Sequence, residues 1–572
     1  MQIIKSFIKL IVFILPVATA AQSVTLPESD KSQHFLERLE IKQQSNADLN
    51  VYSFYPLTRK LAVKVCEDAD SLNKLNPSSK AYMLSDVDKY NLRDVEINSI
   101  EWAKDTLTGV LSKTPWFKTF YEQKANFFEV NQKDFFLAVN PVIQEIQAHE
   151  TGDSSGKSFS NKVYLNSRGL SVRGVIANKL GFSAYLTDNQ EGVPLYVRKM
   201  DTVNGYPFVP GAGYWQTFKN TGYDYFDNRA SIYFNAWKYF NFQFGYDKNF
   251  IGDGYRSLFL SDNSAPYLFL KFDTRIWKLD YQTIYMQLVG QHQLGNYLYP
   301  QKFGVVHYLS VNATHWLKVG LFENVMFSRS NHFDFTYLDP TIFLVSAQQE
   351  DGSADKTTVG FDFKADVAHS FQFYGQLLIN EFILDSILHY SNGFWANKQG
   401  IQLGAKYIDA FKIRNLDLQA EANLVRPFVY TSHDTVTNYT NYNQPMADPL
   451  GANFDEFIGI ARYQPINKLN LEGKIIYYRQ GLDSAGLNFG SNIFLDYNTR
   501  AMNDGFKIGT GMLATCVNAS FLASYELKEN LFIDLSAQYR RYNVASNPSL
   551  NNDSKMISIG IRMNTFRREY DY

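Results

Sequence analysis

Two blocks of the sequence combine aromatic rings, amides, charged groups and glycines, and they have the most potential for chemistry. The first spans residues 244–266 and contains Gly252-Asp253-Gly254, and the second spans residues 426–453. Tyrosine rings can stack on the C–H faces of sugars, amide side chains offer donors and acceptors to hydroxyl groups, and arginine pairs bidentately with carboxylates. The blocks therefore predict a glycan-binding site made of Asp247, Lys248, Asn249, Asp253, Tyr255, Arg256, Asn263, Arg426, Tyr439, Tyr442, Asn443 and Gln444.

The same residues are also compatible with a structural role. Gly252 and Gly254 could serve the backbone of a turn, and Asp253 and Arg256 could form ion pairs between this loop and the protein interior. The Gly-x-Gly sequence is not a dinucleotide-binding fingerprint, because it lacks the following helix and the βαβ frame. Both interpretations of the two blocks stay open at the level of sequence.

One short segment has the spacing of a catalytic motif. His389-Tyr390-Ser391-Asn392-Gly393 resembles the motif of outer-membrane phospholipases, in which a histidine activates a serine, and residues two apart on a strand share a face. No third group that would orient His389 is identifiable, and the segment lies toward a loop. We therefore expect an incidental match and a protein that is not an enzyme.

The sequence offers no set of residues with the spacing of metal ligands. Glu67, Asp68 and Asp70 beside Cys66 are typical of a solvated helix end. With Cys516 as the second of only two cysteines, a multi-cysteine zinc or iron–sulfur site is excluded, and whether the two thiols pair is undecided. We expect no metal and no cofactor.

The residues after about Asp134 alternate between apolar and polar with the period of two that indicates β-strands. Residues 359–367 read Val-Gly-Phe-Asp-Phe-Lys-Ala-Asp-Val, and residues 531–539 read Leu-Phe-Ile-Asp-Leu-Ser-Ala-Gln-Tyr. Each such run is about ten residues long, which is the length that a tilted strand needs to cross a bilayer.

Two architectures share this alternation. In a soluble sandwich the apolar face packs on a second sheet, whereas in a transmembrane barrel it meets lipid and the polar face lines a lumen. The connections alternate between short and long, as periplasmic turns and extracellular loops do. We therefore predict an all-β fold, an antiparallel transmembrane β-barrel of about eighteen strands. Its lumen would be wide enough for water, and the tail tyrosines, Tyr570 and Tyr572, are expected in an aromatic girdle.

The N-terminus indicates export. Residues 1–21 are predicted to be a signal peptide, because Lys5 and Lys9 precede an apolar run too short to span a bilayer and small residues follow. The mean hydropathy of −0.27 excludes a bundle of transmembrane helices. The net charge of −2 gives no indication of nucleic-acid binding. The predicted location is the outer membrane of a Gram-negative bacterium.

A small helical segment is expected to precede the barrel. Residues 22–130 contain Leu57, Leu61 and Val65 at helical spacing, and residues 131–572 form the predicted barrel. Because an even number of strands returns the chain to the side from which it started, the helical segment is expected in the periplasm.

The two blocks resemble the signature of the Wzi-type capsule assembly family. In the first block, Gly252-Asp253-Gly254 is followed by Leu260-Ser261-Asp262-Asn263-Ser264-Ala265-Pro266, and the second block contains Arg426-Pro427 and the run 438–453. The second block and residues 121–141 are most similar to the branch of that family typified by the gliding motility protein RemB.

The resemblance implies a non-catalytic outer-membrane barrel of eighteen strands with a periplasmic helical bundle. It would help to attach or assemble capsule or exopolysaccharide and, in this branch, support gliding motility. The implied partners are outer-membrane lipid, surface polysaccharide and gliding or secretion machinery. The alternatives are a porin-like diffusion channel and, less favoured, the phospholipase.

Overall fold

The structure is a computed structural model that describes residues 23–572 apart from several short gaps. The gaps are 28–30, 105–109, 114, 116, 118, 153–161, 204–207, 220–221, 238, 294, 296–297, 330, 342–343, 345–354, 381–391 and 485. The predicted signal peptide and the sequence His389-Tyr390-Ser391 of the phospholipase-like motif therefore lie outside the described residues.

The dominant element is a closed antiparallel barrel, in which the described residues form 18 strands. The strands, β1 to β18, are Phe135–Thr151, Lys162–Ile176, Leu180–Gly192, Gly222–Trp237, Phe240–Asp247, Tyr267–Ile276, Leu279–Val289, Gln301–Asn312, Leu317–Phe327, Lys356–Val367, Phe371–Asn380, Gln399–Tyr407, Leu416–Val425, Phe454–Ile466, Leu469–Leu482, Met512–Lys528, Leu531–Val544 and Asn552–Met563. Each strand pairs with its neighbour in the chain, and β18 pairs with β1 to close the cylinder. The predicted fold class is confirmed.

Short and long connections alternate around the barrel, as predicted. Turns such as 277–278 and 529–530 join strands at one end, and loops such as 193–221 and 483–511 join them at the other. The described residues also form six short strands: Phe54–Tyr55, Phe128–Gln132, Gln216–Phe218, Phe250–Ile251, Thr440–Asn441 and Gln444–Pro445. Phe128–Gln132 pairs with β1, and Gln216–Phe218 pairs with β4. We refer below to the short-turn end and the long-loop end.

On the strands, charged side chains mainly face the interior and apolar side chains mainly face outward, which is the reverse of a soluble protein. On β10, Asp362, Lys364 and Asp366 face the interior and are buried, whereas Phe361 and Val367 face outward and are exposed. The same alternation recurs along the other strands, so large apolar side chains form a belt around the outer wall and most of the buried charged side chains face the interior. A wall of this kind is stable only against lipid, and the soluble sandwich is excluded by the closed cylinder.

A buried polar patch interrupts the apolar belt of the outer wall. Thr283, His307 and Glu323 lie side by side on β7, β8 and β9, near the middle of the strands. His307 and Glu323 are nevertheless buried, because residues 331–341 of the following loop pack on the outside of the barrel over them. Tyr281 donates a hydrogen bond to the carbonyl of Pro340 at 2.7 Å and fixes this segment to the wall. We call residues 331–341 the outer strap.

Removing the outer strap is expected to destabilise the barrel, because a carboxylate on the lipid face is costly in the middle of the bilayer. Replacing residues 333–341 by a short Gly-Ser linker should lower the temperature at which the folded barrel converts to the unfolded band on a gel. The substitutions His307→Val and Glu323→Val in the same deletion should restore that temperature. A strap deletion that melts like the parent protein would contradict the shielding role.

In the described part of the chain, four helices precede the barrel and pack on one another. They are α1 Lys31–Gln43, α2 Ala47–Asn50, α3 Arg59–Leu75 and α4 Asp86–Asn98, and a fifth, α5 Leu195–Val203, lies in the loop after β3. Helix α4 begins with a capping box, in which Ser85 and Asp88 satisfy each other's backbone N–H groups. None of the described helices combines the length and the hydropathy needed to cross a membrane.

The helical segment closes the short-turn end of the barrel. Gln44 donates a hydrogen bond to the carbonyl of Asp366 at 2.7 Å, and Asn530 bonds to Asn98 at 2.6 Å. Lys31 of α1 lies 2.9 Å from Glu526 at the end of β16. The helices therefore contact the barrel beside several of its short turns and on opposite sides of its mouth.

Candidate functional site

The two sequence blocks fold into the lumen and pack on each other. We call residues 248–266 and 426–453 the loop plug. Tyr430 and Tyr439 donate hydrogen bonds to the carbonyls of Leu258 and Phe259, each at 2.7 Å. Leu258, Phe259 and their neighbours are fully buried, and they join one hydrophobic core with side chains of the wall. The loop plug therefore fills the part of the lumen above the helices.

The Gly-x-Gly turn is required by close contacts with the wall. A Cβ atom on Gly254 would lie 2.6 Å from the carboxylate of Glu421, and one on Gly252 would lie 2.8 Å from the amide of Gln376. Glu421 accepts hydrogen bonds from the backbone N–H of Tyr255 at 2.6 Å. Glycine is used here because the backbone approaches the strand side chains more closely than a side chain would permit.

Asp253 lies at a three-way junction of loop plug, helical segment and barrel wall. Ser53 donates a hydrogen bond to its carboxylate at 2.6 Å, and the ammonium groups of Lys318 and Lys364 lie at 3.2 Å and 3.1 Å. Burial alone would raise the pKa of Asp253, but the two ammonium groups outweigh it and hold the pKa below the ordinary range. The adjacent residue Gly252 donates its N–H to the carbonyl of Ser53 at 2.8 Å. The plug and the helices are thus joined inside the lumen.

The C-terminal tail also enters the lumen. Asp571 lies 3.1 Å from Arg256 of the loop plug and 2.9 Å from Lys474 of β15. Arg540 of β17 donates a hydrogen bond to the carbonyl of Tyr572 at 3.1 Å. The expected position of Tyr570 and Tyr572 in an aromatic girdle is therefore wrong, because buried arginine and lysine side chains draw the tail inward.

A chamber of about 720 Å³ remains between the helices and the loop plug. It is lined near the short-turn end by Gln464 and Asn530, and near the plug by Pro210, Ala447 and Pro449. Among the described residues, thirteen Lys and Arg but only seven Asp and Glu line it. Its volume is in the range of small-molecule sites.

The structure brings some of the predicted site residues together on the wall of the loop plug. Lys248 donates a hydrogen bond to the carbonyl of Asp262 at 2.9 Å, and Asn263 donates one to the carbonyl of Pro445 at 3.3 Å. Gln444 accepts from the N–H of Gly211 at 2.7 Å. These residues come from the two blocks and meet at the loop that follows β3.

A second group of predicted residues surrounds a histidine at the long-loop end. Asn443 donates a hydrogen bond to the carbonyl of His292 at 2.9 Å, and the rings of Tyr442 and Tyr299 lie 5.7 Å and 4.0 Å from the His292 ring. Burial lowers the pKa of His292 and so favours the neutral ring. Tyr442 is only partly buried, which leaves part of this aromatic group accessible.

The remaining predicted residues have partners within the chain and do not form one site. Asn249 and Tyr439 are almost fully buried, and Arg426 donates a hydrogen bond to the carbonyl of Asn397 at 2.7 Å. Asp247 accepts from the N–H of Lys248 at 2.9 Å, and Tyr255 donates to Asp571. A role of these residues in binding a glycan stays a prediction.

An aromatic group at the long-loop end was missed by the analysis of the sequence. The rings of Trp395 and Tyr497 lie 5.0 Å apart, and both are partly exposed. Arg500 lies 4.3 Å from the centre of the Trp395 ring, and Lys398 lies 3.9 Å from that of Tyr497. We call these four residues the Trp395 cluster. A tryptophan in a long loop was the available signal, but the partner loop is about one hundred residues away and its proximity is a tertiary property.

Three carboxylates at the short-turn end form the one described group with the geometry to hold a cation. Asp94, Glu526 and Glu529 offer ligand atoms within 4.8 Å of one another. The ammonium group of Lys31 lies 3.0 Å from Asp94 and 2.9 Å from Glu526. Although burial opposes its charge, these carboxylates raise the pKa of Lys31. The cluster therefore serves as an ion-paired anchor between α1 and the barrel.

These features define a class of protein: a membrane-spanning β-barrel whose interior is filled by its own loops, tail and N-terminal helices. No protein-family profile and no curated protein matches the chain by sequence. Among solved structures, the fold is similar to that of Wzi from Escherichia coli, described as an outer-membrane protein involved in group 1 capsule assembly and a carbohydrate-binding β-barrel. The TM-score is 0.55 at 13% identity, and the match covers 95% of this chain and 99% of Wzi.

Porin-type barrels are more distant matches. OprD of Pseudomonas aeruginosa matches with a TM-score of 0.40 at 8% identity, over 75% of this chain and 95% of OprD. OccAB4 of Acinetobacter baumannii matches with a TM-score of 0.40 at 11% identity, over 76% of this chain and 98% of its own. The similarity to Wzi is a similarity of fold, and it includes residues that precede the barrel.

Proposed function

We propose that this chain is an outer-membrane protein that binds a surface polysaccharide at its long-loop end and does not act as an open channel or an enzyme. The observation that carries the proposal is the filled lumen: helices close one end and the loop plug occupies the interior. Such a barrel presents a binding surface to the outside and offers no wide passage. The resemblance of both sequence blocks to the Wzi-type family supports the same function.

The finer part of the proposal concerns the role in the cell. The polysaccharide would be capsule or exopolysaccharide, and the protein would help to attach or assemble it. The similarity of residues 121–141 and 438–453 to the RemB branch supports a contribution to gliding motility, with gliding or secretion machinery as protein partners. A signal peptide at residues 1–21 and a periplasmic helical segment complete this proposal.

Two aromatic groups at the long-loop end suit a glycan. Sugar rings stack on aromatic faces, and the groups around Tyr442 and in the Trp395 cluster offer partly exposed rings. Arg500, which is partly exposed beside Trp395, adds positive charge, which favours a polysaccharide that carries acidic groups.

We expect Trp395→Ala and Tyr442→Ala each to weaken polysaccharide binding about tenfold, since a stacking contact of this size is worth about 1.4 kcal/mol. The measurement is binding of the purified barrel to surface polysaccharide extracted from the strain that encodes it. Trp277→Ala is the control, because Trp277 is an even more exposed aromatic residue but lies at the short-turn end. Unchanged binding in both variants, or an equal loss in the control, would count against the proposed surface.

A further inference from the structure

One lysine on the chamber wall has no carboxylate partner in the part of the chain that the structure describes. Most of the cations that line the chamber face a carboxylate: Lys474 lies 2.5 Å from Glu569, and Arg562 lies 2.7 Å from Asp534. Among the described residues, the ammonium group of Lys248 contacts only the carbonyl of Asp262, at 2.9 Å. Lys248 follows β5 directly and is partly buried. A partly buried ammonium group without a counter-charge favours an anion beside it.

A second cation lies close to Lys248. Arg568 of the C-terminal tail donates hydrogen bonds to the hydroxyl of Tyr225 and, at 2.9 Å, to the carbonyl of Pro210. Its guanidinium lies 3.5 Å from Glu191, a long contact for an ion pair. Arg568 and Lys248 belong to segments that are distant in the sequence, and both line the chamber.

The two cations converge on a space left by a glycine. A Cβ atom built on Gly211 would lie 3.1 Å from Nη2 of Arg568 and 3.2 Å from Nζ of Lys248. The third neighbour, the carbonyl oxygen of Asn263, would lie 3.9 Å away. The two cationic groups are therefore close enough together for one anion to bridge them on the side of Gly211 where any other residue would place its side chain.

The glycine that creates this space is held firmly. The backbone of Gly211 has a φ of 72°, which favours glycine over any other residue. Gln444 accepts from the Gly211 N–H at 2.7 Å and donates to the carbonyl of Ala212 at 2.8 Å. The loop plug thus fixes the position of Gly211 relative to Lys248 and Arg568, so the space is part of the built fold.

We propose that Lys248, Arg568 and Gly211 form an oxyanion-binding site inside the chamber, which receives the carboxylate or phosphate group of a small ligand. The anion would lie beside Gly211 and accept hydrogen bonds from both cations through one or two of its oxygens. The chamber of about 720 Å³ leaves room for the rest of a sugar-sized ligand. The site lies in the interior, so it does not depend on polysaccharide binding at the long-loop end.

The test is calorimetric titration of the full-length barrel in detergent with sodium glucuronate, sodium phosphate and glucose. We expect at least one of the two anions to bind, with an affinity that falls as ionic strength rises, and glucose to bind much more weakly. Lys248→Gln should reduce anion affinity at least tenfold, and Lys248→Arg should retain it. The anion that binds identifies the source of the oxyanion, an acidic sugar or phosphate.

Controls separate this site from surface effects and from the proposed function. Lys278→Gln removes an exposed lysine at a short turn and should leave anion affinity unchanged. The variants Trp395→Ala and Tyr442→Ala should also leave it unchanged, so failure of the surface proposal and failure of this one are distinguishable. Absence of binding by both anions, equal affinity in Lys248→Gln, or binding of glucose as tight as that of glucuronate would overturn the inference.

Discussion

In planar bilayers the intact protein is expected to carry no large, steady ionic current, whereas a variant without its interior should conduct. A barrel of about eighteen strands encloses a water-wide lumen when nothing fills it. Here the lumen contains the loop plug, the tail and, at the short-turn end, the helices. Removing residues 23–104 and replacing 249–265 and 427–452 by short Gly-Ser linkers should raise the mean conductance at least tenfold.

Partial variants make this experiment sharper. Deleting the helices alone removes Ser53, whose carbonyl and hydroxyl bind Gly252 and Asp253. The loop plug loses these contacts, so this variant should show a fluctuating conductance of intermediate size. Loss of the two loop segments alone should leave the short-turn end blocked. The β-sheet content of every variant, measured by circular dichroism, controls for folding. A large steady conductance of the intact protein would contradict the filled lumen as a functional state and favour the diffusion channel.

Substitution of Asp253 by alanine is expected to be the most disruptive single change in the interior. It would leave Lys318 and Lys364 buried with fewer partners, and breaking a buried ion pair from one side typically costs about 3–5 kcal/mol. Hydrogen exchange at the Ile251 and Gly252 amides should accelerate at least a hundredfold, because their hydrogen bonds hold this turn in place.

Two further variants serve as comparisons for the hydrogen-exchange rates of Asp253→Ala. Asp253→Asn keeps the shape and the contact with Ser53 but removes the charge, so it should have a smaller effect in the same direction. Asp188→Ala breaks an exposed ion pair with Arg168, which is worth at most about 1 kcal/mol. Similar exchange rates in Asp253→Ala and Asp188→Ala would contradict the role of the junction.

The same junction implies a direction for the pH dependence. Because the pKa of Asp253 is lowered in the folded protein, its stabilisation is complete above the ordinary aspartate pKa of about 4 and is lost as the pH falls below it. Exchange at Gly252 should therefore accelerate on acidification below about pH 4 in the parent protein, and less so in Asp253→Ala.

The barrel itself follows from local properties of the sequence. Alternation in segments such as residues 359–367 and 531–539 assigns each side chain to one face, and the alternation of short and long connections orders the strands. Neither signal depends on a distant contact. A strand shifted by one residue would turn its charged side chains toward lipid, so the sequence of each strand fixes its own register. For this reason the strand count, the closed topology and the outward apolar face were predictable.

What fills the barrel was decided by tertiary structure alone. Asp253 could have met a sugar or a lysine, and the choice depends on Lys318, Lys364 and Ser53, which come from three other parts of the chain. The converging positions of Lys248, Arg568 and Gly211 likewise depend on two loops and the C-terminal tail folded into one lumen. The sequence by itself determined the wall, because lipid and the pleat act on each strand separately. Only the folded chain decided the interior, because burying a charge is favourable only where a distant partner compensates it.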